Sequence, residues 1–201
     1  LIEKLEKVSI MGGFDGIKLK AELEDTRKKL IPIAEKLKES MNKQFAITCF
    51  SKISNSILMW SHYANKHTGF CVGYNFEKCR NWDALINLLP VLYSVERPSL
   101  PMGLIDFSNP KEIKLNNISD YVPELMMLLL SKSNKWDYEE EWRIVNHQSQ
   151  LIDAHLLDLH TISHIYLGAN ISKDNEYLIR DVAKKLTIPI SKYRISPDKY
   201  Q

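Results

Sequence analysis

The sequence predicts an α+β protein that forms a single domain, with a small mixed or antiparallel sheet flanked by helices. Three observations support this prediction. The chain has 201 residues, of which 44% are apolar and 26% charged, as expected for one ordinary globular domain. Segments with helical and strand-like periodicity alternate irregularly, unlike a regular βαβ arrangement. The sequence also contains no internal repeat or low-complexity tract.

The chain is expected to begin with a helical segment over residues 1–44, followed by an α+β core over residues 45–201. Apolar residues recur at helical spacing in the first segment, namely Leu19, Leu23, Leu30, Ile33, Leu37 and Met41. Gly12 and Gly13 should separate a short helix from this longer one. Pro32 should kink or split the longer helix, because proline removes a backbone donor.

The core contains six strand-like runs of apolar, β-branched and aromatic residues. These runs cover residues 45–50, 68–74, 91–95, 142–145, 162–167 and 188–195. The first run is expected to be buried. Gly69 and Gly73 share one face of the second run, which indicates that another group approaches the backbone closely there.

Helical periodicity and capping residues predict four helices in the core. They cover residues from Asn55 or Ser56 to about 65, then 77–88, 119–132 and 173–185. Pro90 should end the second helix, and the strongly apolar third helix should be central. Four residues of the last helix are expected to face the core, namely Leu178, Ile179, Val182 and Leu186. Residues 97–110 contain three prolines and should form a loop.

Composition argues against several classes of protein. The net charge is +2 and lysine outnumbers arginine, so nucleic-acid binding is not indicated. Cys49, Cys71 and Cys79 form no C-x-x-C motif, which favours a reducing, cytoplasmic location. The longest apolar run, residues 125–130, is too short to span a bilayer, so no membrane partner is expected. Leu1 opens a charged segment without an initiating Met, so we expect no signal peptide and a fragment of a longer protein.

A first polar and aromatic segment comprises residues 60–64 and 67–71, with the sequences WSHYA and HTGFC. On a continuous helix, Tyr63 and His67 would lie four residues apart on one face. His67 would then lie at a helix C-terminus, where the macrodipole favours its charged form. Tyr63 and His67 are therefore candidate catalytic residues, and Trp60 and His62 are candidate ligand-binding residues. The structural alternative is a capping histidine among packed aromatic rings.

A second segment, residues 135–144 (KWDYEEEWRI), combines acidic residues with aromatic rings. A strand that begins near residue 138 would place Glu139, Glu141 and Arg143 on one face. A carboxylate in a cleft would orient a hydroxyl or stabilise a cationic transition state, which makes Glu139 and Glu141 candidate catalytic residues. Trp136, Tyr138 and Arg143 are candidate ligand-binding residues. The structural alternative is an ion-pair ladder at a sheet edge.

Other catalytic and metal motifs are weak or absent. His67 and Cys71 are four residues apart, as are His160 and His164, but neither pair has zinc-ligand spacing, so no metal is expected. Cys71 with His62 or His67 lacks an evident third member of a nucleophilic site. The sequence contains no G-x-S-x-G, Walker or G-x-G-x-x-G motif.

Together, these segments resemble a bacterial family called domain of unknown function 2971. The resemblance spans roughly residues 45–186, and the stretches that carry it are Cys49-Phe50-Ser51, residues 58–64 with W-S-H-Y-A, His67-x-Gly69-Phe70-Cys71, Lys132, Trp136-x-Tyr138-Glu139-x-Glu141-Trp142-Arg143 and residues 165–168. A relative of the family is found among abortive-infection proteins, which implies a phage-defence setting. The family usually starts with an aromatic-rich strand and an Asn-Asp-Pro loop. Neither occurs in this sequence, so a site that needs them would be incomplete here.

The family is also distantly similar to ADP-ribosyltransferase-like folds, which implies NAD as the ligand. In such a site a late carboxylate, here Glu139 or Glu141, would hold a ribose hydroxyl and stabilise an oxocarbenium-like state as nicotinamide leaves. An aromatic side chain would stack on the nicotinamide ring. Tyr63 or His67 would supply the mid-chain element of the site.

Three functional hypotheses are open at this stage. The first is a phage-defence or toxin-like effector that acts on a nucleotide such as NAD. The second is a non-enzymatic protein-binding module of a defence or toxin–antitoxin pair, with the N-terminal helix as its contact surface. The third is structural, with Arg143 paired with Glu139 or Glu141 in a buried polar cluster. The first hypothesis requires that the two polar segments meet in one cleft.

Overall fold

The structure, a computed structural model, describes residues 16–109, 113–147, 157, 159–194 and 196. Within these ranges the chain forms five α-helices: α1 (Gly16–Gln44), α2 (Ile57–Tyr63), α3 (Trp82–Ile86), α4 (Val122–Leu130) and α5 (Lys173–Lys185). The same ranges contain ten strands: β1 (Phe45–Ser51), β2 (Phe70–Tyr74), β3 (Leu88–Pro90), β4 (Leu92–Ser94), β5 (Ile105–Asp106), β6 (Lys114–Leu115), β7 (Ser131–Ser133), β8 (Glu141–His147), β9 (Ile162–Leu167) and β10 (Ile190–Lys192). The predicted mixture of helices with small, largely antiparallel sheets is confirmed.

The chain divides into two compact units. The first combines residues of Leu1–Gln44 with Ser99–Leu128, and the second combines Phe45–Pro98 with residues of Leu129–Gln201. The expected partition into a helical segment over residues 1–44 and a core over residues 45–201 stays a prediction. Across the described residues, we find no helix whose length and apolar character would let it cross a membrane.

The first unit is built on one face of α1. Four buried side chains form its core, namely Leu37, Leu104, Ile118 and Leu125. Met41 packs against this core from the next turn of α1, four residues after Leu37. Ile33, one turn earlier, is also buried. The part of the predicted apolar stripe that runs from Ile33 to Met41 is therefore buried or half-buried.

Pro32 does not split α1, although a split was one of the two expected outcomes, and a kink at Pro32 stays a prediction. The helix runs from Gly16 to Gln44 through Pro32. The proline removes one hydrogen bond, but it lies on an exposed part of the helix, where water can bond the carbonyl left over. The remaining bonds are sufficient to continue the helix. The predicted break at Gly12 and Gly13 lies outside the described residues.

The second unit contains two three-stranded sheets. One has the order β1–β8–β3 and is antiparallel, with Phe45 opposite His147 and Ser51 opposite Glu141. The other has the order β10–β9–β2, in which β2 is antiparallel and β10 is parallel to β9. A short parallel pair, β4 and β7, completes the unit. Mixed and antiparallel pairing therefore both occur, as expected.

The strand β1 forms where the sequence predicts it, but it is not a buried strand. Phe45 is buried, whereas Ile47, Thr48 and Cys49 are exposed. β1 pairs with β8 on one side only and is the edge of its sheet. An apolar run of this length therefore indicates a strand without deciding whether both of its faces are covered.

Two glycines of the β2 region allow the close approaches that the sequence predicts. A Cβ at Gly69 would lie 3.2 Å from the Cα of Ala64, at the end of α2. A Cβ at Gly73 would lie 3.3 Å from the ring of Tyr166 on β9. The groups that approach the backbone are thus parts of the protein itself, a helix end and a cross-strand tyrosine.

The predicted helix over residues 77–88 is wrong in extent. The chain instead forms a single 3₁₀ turn over Phe76–Lys78 and then the short helix α3, before entering β3. Asn75 accepts a hydrogen bond from the backbone N–H of Glu77, and Asn81 accepts one from the N–H of Ala84. These asparagine side chains start two separate turns where periodicity alone suggests one helix.

The predicted helix over residues 119–132 is also too long. A 3₁₀ turn over Ile118–Tyr121 leads into α4, which ends at Leu130 where the chain enters β7. The expected loop over residues 97–110 contains a 3₁₀ turn and the short strand β5. The strand predicted over residues 188–195 is reduced to β10. In all three regions the structure contains a strand of only two or three residues, β7, β5 or β10, where composition favours a longer helix, loop or strand.

Helix α5 has the predicted bounds, but its core-facing side differs from the prediction. Ser172 caps it by accepting a hydrogen bond from the N–H of Asn175, 3.2 Å away. Ala183 is buried and Ile179 packs against the core of Ile165, Leu167 and Ile171. Three of the residues expected to face inward are exposed instead, namely Leu178, Val182 and Leu186. The side of the helix that faces the core is therefore the one that carries Ile179 and Ala183. The pattern of large apolar residues did not indicate Ala183 because its side chain is small.

Candidate functional site

The two polar segments meet in the second unit. The hydroxyl of Tyr63, at the end of α2, donates a hydrogen bond of 2.9 Å to Oε1 of Glu139, just before β8. These residues are 76 positions apart in the sequence. The first condition for a shared site is therefore met.

Helix α2 is anchored at its start and through Trp60, which positions the backbone of Tyr63. Ser56 caps its start by accepting a hydrogen bond from the N–H of Met59. Trp60 is buried, and its indole N–H donates to the carbonyl of Ser54 at 2.7 Å. Its ring also contacts Tyr193 edge-on, with centroids 5.4 Å apart. Trp60 thus links α2 to the segment that follows β10.

The predicted shared helical face of Tyr63 and His67 is wrong. The helix ends at Tyr63, and Asn65, Lys66 and His67 adopt left-handed φ angles of 46°, 56° and 68°. The carbonyl of His67 accepts a hydrogen bond from the N–H of Asn170 at 3.0 Å, and its ring lies 3.1 Å from the hydroxyl of Ser61. The loop is held by these contacts, so His67 turns away from Tyr63.

The second segment also departs from the predicted strand. Residues Asn134–Glu139 form a 3₁₀ helix, and Glu140 has a left-handed φ of 45°. Strand β8 therefore begins at Glu141 rather than near residue 138, and the expected ladder of two carboxylates flanking one arginine does not form. Among the hydrogen bonds of the described residues, Arg143 joins only one of the two carboxylates, that of Glu141.

Lys132 on β7 joins the two carboxylates instead. Its Nζ lies 2.5 Å from Oε2 of Glu139 and 2.8 Å from Oε2 of Glu141. Arg143 completes the cluster through Nε, 2.7 Å from Oε1 of Glu141, and through Nη1, which donates to the carbonyl of Leu129. We call Lys132, Glu139, Glu141 and Arg143 the charged quartet. Two ammonium or guanidinium groups balance two carboxylates, so its net charge is zero.

The quartet is largely removed from water, and the contacts between its members favour the charged forms of Glu141, Lys132 and Arg143. Glu139 is 3% exposed and Glu141 6% exposed. Burial alone would raise the pKa of the Glu141 carboxyl, but its hydrogen bonds with Arg143 and Lys132 outweigh burial and lower the pKa to about 2. Burial would likewise lower the pKa of Lys132, yet its bonds to the two carboxylates raise it. Glu141 and Lys132 are therefore both ionised at neutral pH.

The quartet lines a cleft of about 830 Å³ within the second unit. Both three-stranded sheets and α2 contribute to its walls. Beside the quartet the lining includes Cys49, Phe50, Ser51, Trp60, Tyr63, Cys71, Tyr74, Phe76, Ser163 and Tyr166. A cleft that combines aromatic walls with a few convergent charged groups has the composition typical of a small-molecule site.

Five of the nine candidate residues from the sequence line this cleft, namely Trp60, Tyr63, Glu139, Glu141 and Arg143. The other four lie outside its lining, namely His62, His67, Trp136 and Tyr138. Three of those four form an aromatic cluster, in which the ring of Trp136 lies 6.1 Å from His62 and 6.0 Å from Tyr138. Lys132 Nζ lies 5.3 Å from the centre of the Trp136 ring, so this cluster borders the quartet.

The sequence-based prediction gives no role to three side chains that organise the site, namely Lys132, Ser51 and Tyr93. Lys132 occurs in the family motif, but its position seven residues before Glu139 on a separate strand gives no local sign of a contact. The hydroxyl of Ser51 donates a 2.7 Å hydrogen bond to the carbonyl of Glu139 and accepts one from the N–H of Ile53. Tyr93, on β4, accepts a hydrogen bond from the N–H of Glu141 at 2.8 Å. These contacts fix the backbone that carries both carboxylates.

The cysteine thiols and the potential metal ligands give little support for a nucleophilic or a metal site. Cys49, whose residue is exposed overall, faces Arg143 across the β1–β8 pair, and partial burial of its thiol together with Glu141 raises the pKa of that thiol. Burial also raises the pKa of Cys71. Both therefore favour the neutral thiol over the nucleophilic thiolate. Within the described ranges, no three His, Cys, Asp or Glu side chains come together in a way that would hold a metal ion.

A family model described as protein of unknown function (DUF2971) matches residues 59–144. The resemblance that the sequence motifs indicate is therefore supported over this stretch, which contains Trp60, Tyr63 and the charged quartet. The comparisons with curated proteins and with solved structures give no significant match.

Proposed function

We propose that this chain, whose residues 59–144 carry the DUF2971 domain, binds a nucleotide in the cleft through ribose hydroxyls, with NAD as the ligand and glycosidic-bond cleavage as the reaction. The observation that carries the proposal is the pair of buried carboxylates, Glu139 and Glu141, that share the ammonium of Lys132 on the wall of an open cleft. Buried charges that are paired and also line a cleft are a recognised indication of a functional site.

The quartet offers a ribose both kinds of hydrogen-bonding partner. The carboxylates of Glu139 and Glu141 accept hydrogen bonds from hydroxyl groups, and their geometry is fixed by the shared ammonium of Lys132. That ammonium can also donate to a hydroxyl oxygen. Because both carboxylates contact one Nζ, they lie close enough to serve neighbouring hydroxyls of the same sugar. This arrangement supports recognition of a ribose diol.

The aromatic side chains of the cleft fit the planar rings of a nucleotide. Phe50 contacts Tyr74 and Phe76 edge-on, with centroids 5.6 and 5.2 Å apart, and all three line the cleft. Tyr166 lines it from the other sheet. Aromatic side chains contribute favourable contacts to heteroaromatic rings, which supports binding of the base or of nicotinamide.

The proposed reaction breaks the bond between C1′ of the ribose and the nicotinamide nitrogen. Nicotinamide leaves with the electron pair, and the ribose develops the positive charge of an oxocarbenium-like state. A carboxylate that holds a ribose hydroxyl, Glu141 or Glu139, stabilises this charge. Water or a nucleophilic side chain of a target forms the new bond to C1′ and releases a proton.

Binding of NAD to the purified protein tests the proposal. We expect NAD and ADP-ribose to raise the melting temperature of the wild type and to bind in a calorimetric titration.

Glu141→Gln should weaken NAD binding by at least about tenfold, because a hydrogen bond to a charged group contributes roughly 1.5–3 kcal/mol. Glu176→Gln is the matched control, since Glu176 also pairs with two cations, Arg180 and Lys192, but does not line the cleft. Absence of binding at millimolar NAD, or equal losses in both variants, would refute the proposal.

The biological setting that we propose is phage defence or a toxin-like activity in the bacterial cytoplasm, and it rests on the family resemblance alone. The alternative role is a non-enzymatic protein-binding module that uses α1. If that role is correct, a protein partner should co-purify with the chain. The burial of Ile33 and Leu37 gives that alternative little support. Slow growth on expression, relieved by Glu141→Gln, would favour the effector.

A further inference from the structure

The Tyr63 hydroxyl covers one of the two carboxylates of the quartet. Glu139 is 3% exposed, and its Oε1 accepts the hydrogen bond from Tyr63 at 2.9 Å. Its other oxygen, Oε2, is bonded to Lys132 at 2.5 Å. The carboxylate is thus engaged on both sides, by an ammonium that belongs to the quartet and by a phenol that does not.

Tyr63 is weakly held compared with the carboxylate that it covers. It is 64% exposed, although its hydroxyl reaches a nearly inaccessible group. It is the last residue of α2, and a run of left-handed residues follows it after Ala64. The ring contact described for it is an edge contact with His62, with centroids 6.3 Å apart. A side chain with this exposure can rotate away without opening a cavity in a core.

We infer that the Tyr63 hydroxyl occupies the position of a ligand hydroxyl, and that a ligand binds by displacing Tyr63 from Glu139. The inference rests on the proposed function, since the displacing group is a ribose hydroxyl. It adds that the protein's own phenol holds this position until a ligand binds. Tyr63 is therefore a gate and a specificity-determining residue rather than a catalytic one.

The exchange is physically reasonable because one hydroxyl replaces another. A buried carboxylate that lost a partner without replacement would carry a large desolvation cost. Tyr63 keeps Glu139 paired in the absence of ligand, and burial together with the adjacent Glu139 raises the pKa of Tyr63, so the phenol remains a donor. A ligand that lacks a suitable hydroxyl leaves Oε1 of Glu139 without a hydrogen bond if it displaces Tyr63, although Lys132 still pairs with Oε2, so such a ligand is rejected.

Tyr63→Phe tests the inference with NAD as the probe. The variant removes the competing donor, so NAD should bind about tenfold more tightly than it binds the wild type, which corresponds to about 1.4 kcal/mol. Nicotinamide, which has no hydroxyl, should show no gain. Tyr177→Phe is the matched control, because Tyr177 is a 78% exposed tyrosine of α5 outside the cleft lining. Circular dichroism confirms folding, and Tyr63→Leu provides a second variant with the same expected gain.

The outcomes separate the inference from the proposed function. Tighter binding of NAD to both Tyr63 variants than to the wild type supports the inference. If NAD binds the wild type but the Tyr63 variants bind equally or more weakly, the inference is overturned while the proposed function stands. If NAD binds neither the wild type nor the variants, both are overturned.

Discussion

Lys132 is the residue that turns two separate carboxylates into one site. Its ammonium contacts Glu139 and Glu141 at the same time, and its own side chain is only 20% exposed. Without Lys132, two carboxylates would be buried near each other with Arg143 bonded to only one of them. Like charges in such a position cannot both stay ionised at low cost. The quartet should therefore be regarded as a single electrostatic unit.

The low pKa of Glu141 predicts how stability depends on pH. The carboxyl has a pKa of about 2 in the folded protein and 4.5 as its ordinary value. Its contribution is therefore fully present above about pH 4.5 and is lost as the pH falls towards 2. The loss amounts to about 3 kcal/mol at roughly 1.4 kcal/mol per pKa unit. Urea unfolding at pH 7, 4 and 2.5 measures it.

The matched variants isolate that contribution from other carboxylates. Glu141→Gln should be less stable than the wild type at pH 7 but should lose less stability between pH 4.5 and pH 2.5. Glu176→Gln should keep nearly the wild-type slope, because the ion pairs of Glu176 lie on the surface. Parallel pH curves for the wild type and Glu141→Gln would contradict the assigned role of the quartet.

Residue types in the sequence identify three of the four quartet members, but not the geometry in which they meet. Glu139, Glu141, Arg143 and Tyr63 stand out because charged and aromatic residues cluster in otherwise apolar segments. Lys132 does not stand out, since a lysine near the end of a helix-like run is ordinary. Its role depends on a parallel pairing of β4 and β7 that no local pattern encodes.

At the scale of elements, the 3₁₀ helix before β8 decides where the carboxylates point. Strand periodicity would place Glu139 and Glu141 two residues apart on one face. In the structure the two carboxylates are also close together, but the reason is the left-handed conformation of Glu140 between them and not a continuous strand. Such a turn is invisible to periodicity, since glutamate rarely adopts a positive φ. The meeting of the two segments was anticipated, while the element that produces it was not.

The left-handed conformation of Glu140 gives a prediction for this connection. Glu140→Gly should leave the free energy of unfolding unchanged or raise it by up to about 1 kcal/mol, because glycine adopts positive φ without strain. Glu140→Val should lower it by about 1–3 kcal/mol, because a β-branched residue is strained there. Glu96→Val, at an exposed position without a positive φ, is the control and should change little. Chemical denaturation measures all three, and equal effects of valine at both positions would contradict the account.

At the scale of the whole molecule, the site depends on the second unit alone. Every residue of the cleft lining belongs to Phe45–Pro98 or Leu129–Gln201. The sequence predicts an α+β fold from irregular alternation of elements, and the structure confirms it. The pairing of β1 with β8 and of β2 with β9 brings together residues that are 88 or more positions apart in the sequence. Long-range pairing of this kind follows from packing of the complete chain and cannot be derived from short sequence windows.

The central claim is that residues of both polar segments form one ligand site, and mapping of backbone amide signals by NMR during a titration with NAD tests it most directly. We expect the signals of Tyr63, Glu139, Glu141 and Arg143 to shift together and to saturate with a single dissociation constant, while signals of α5 stay unchanged. The claim would be contradicted by shifts confined to residues outside the cleft, or by different dissociation constants for the two segments.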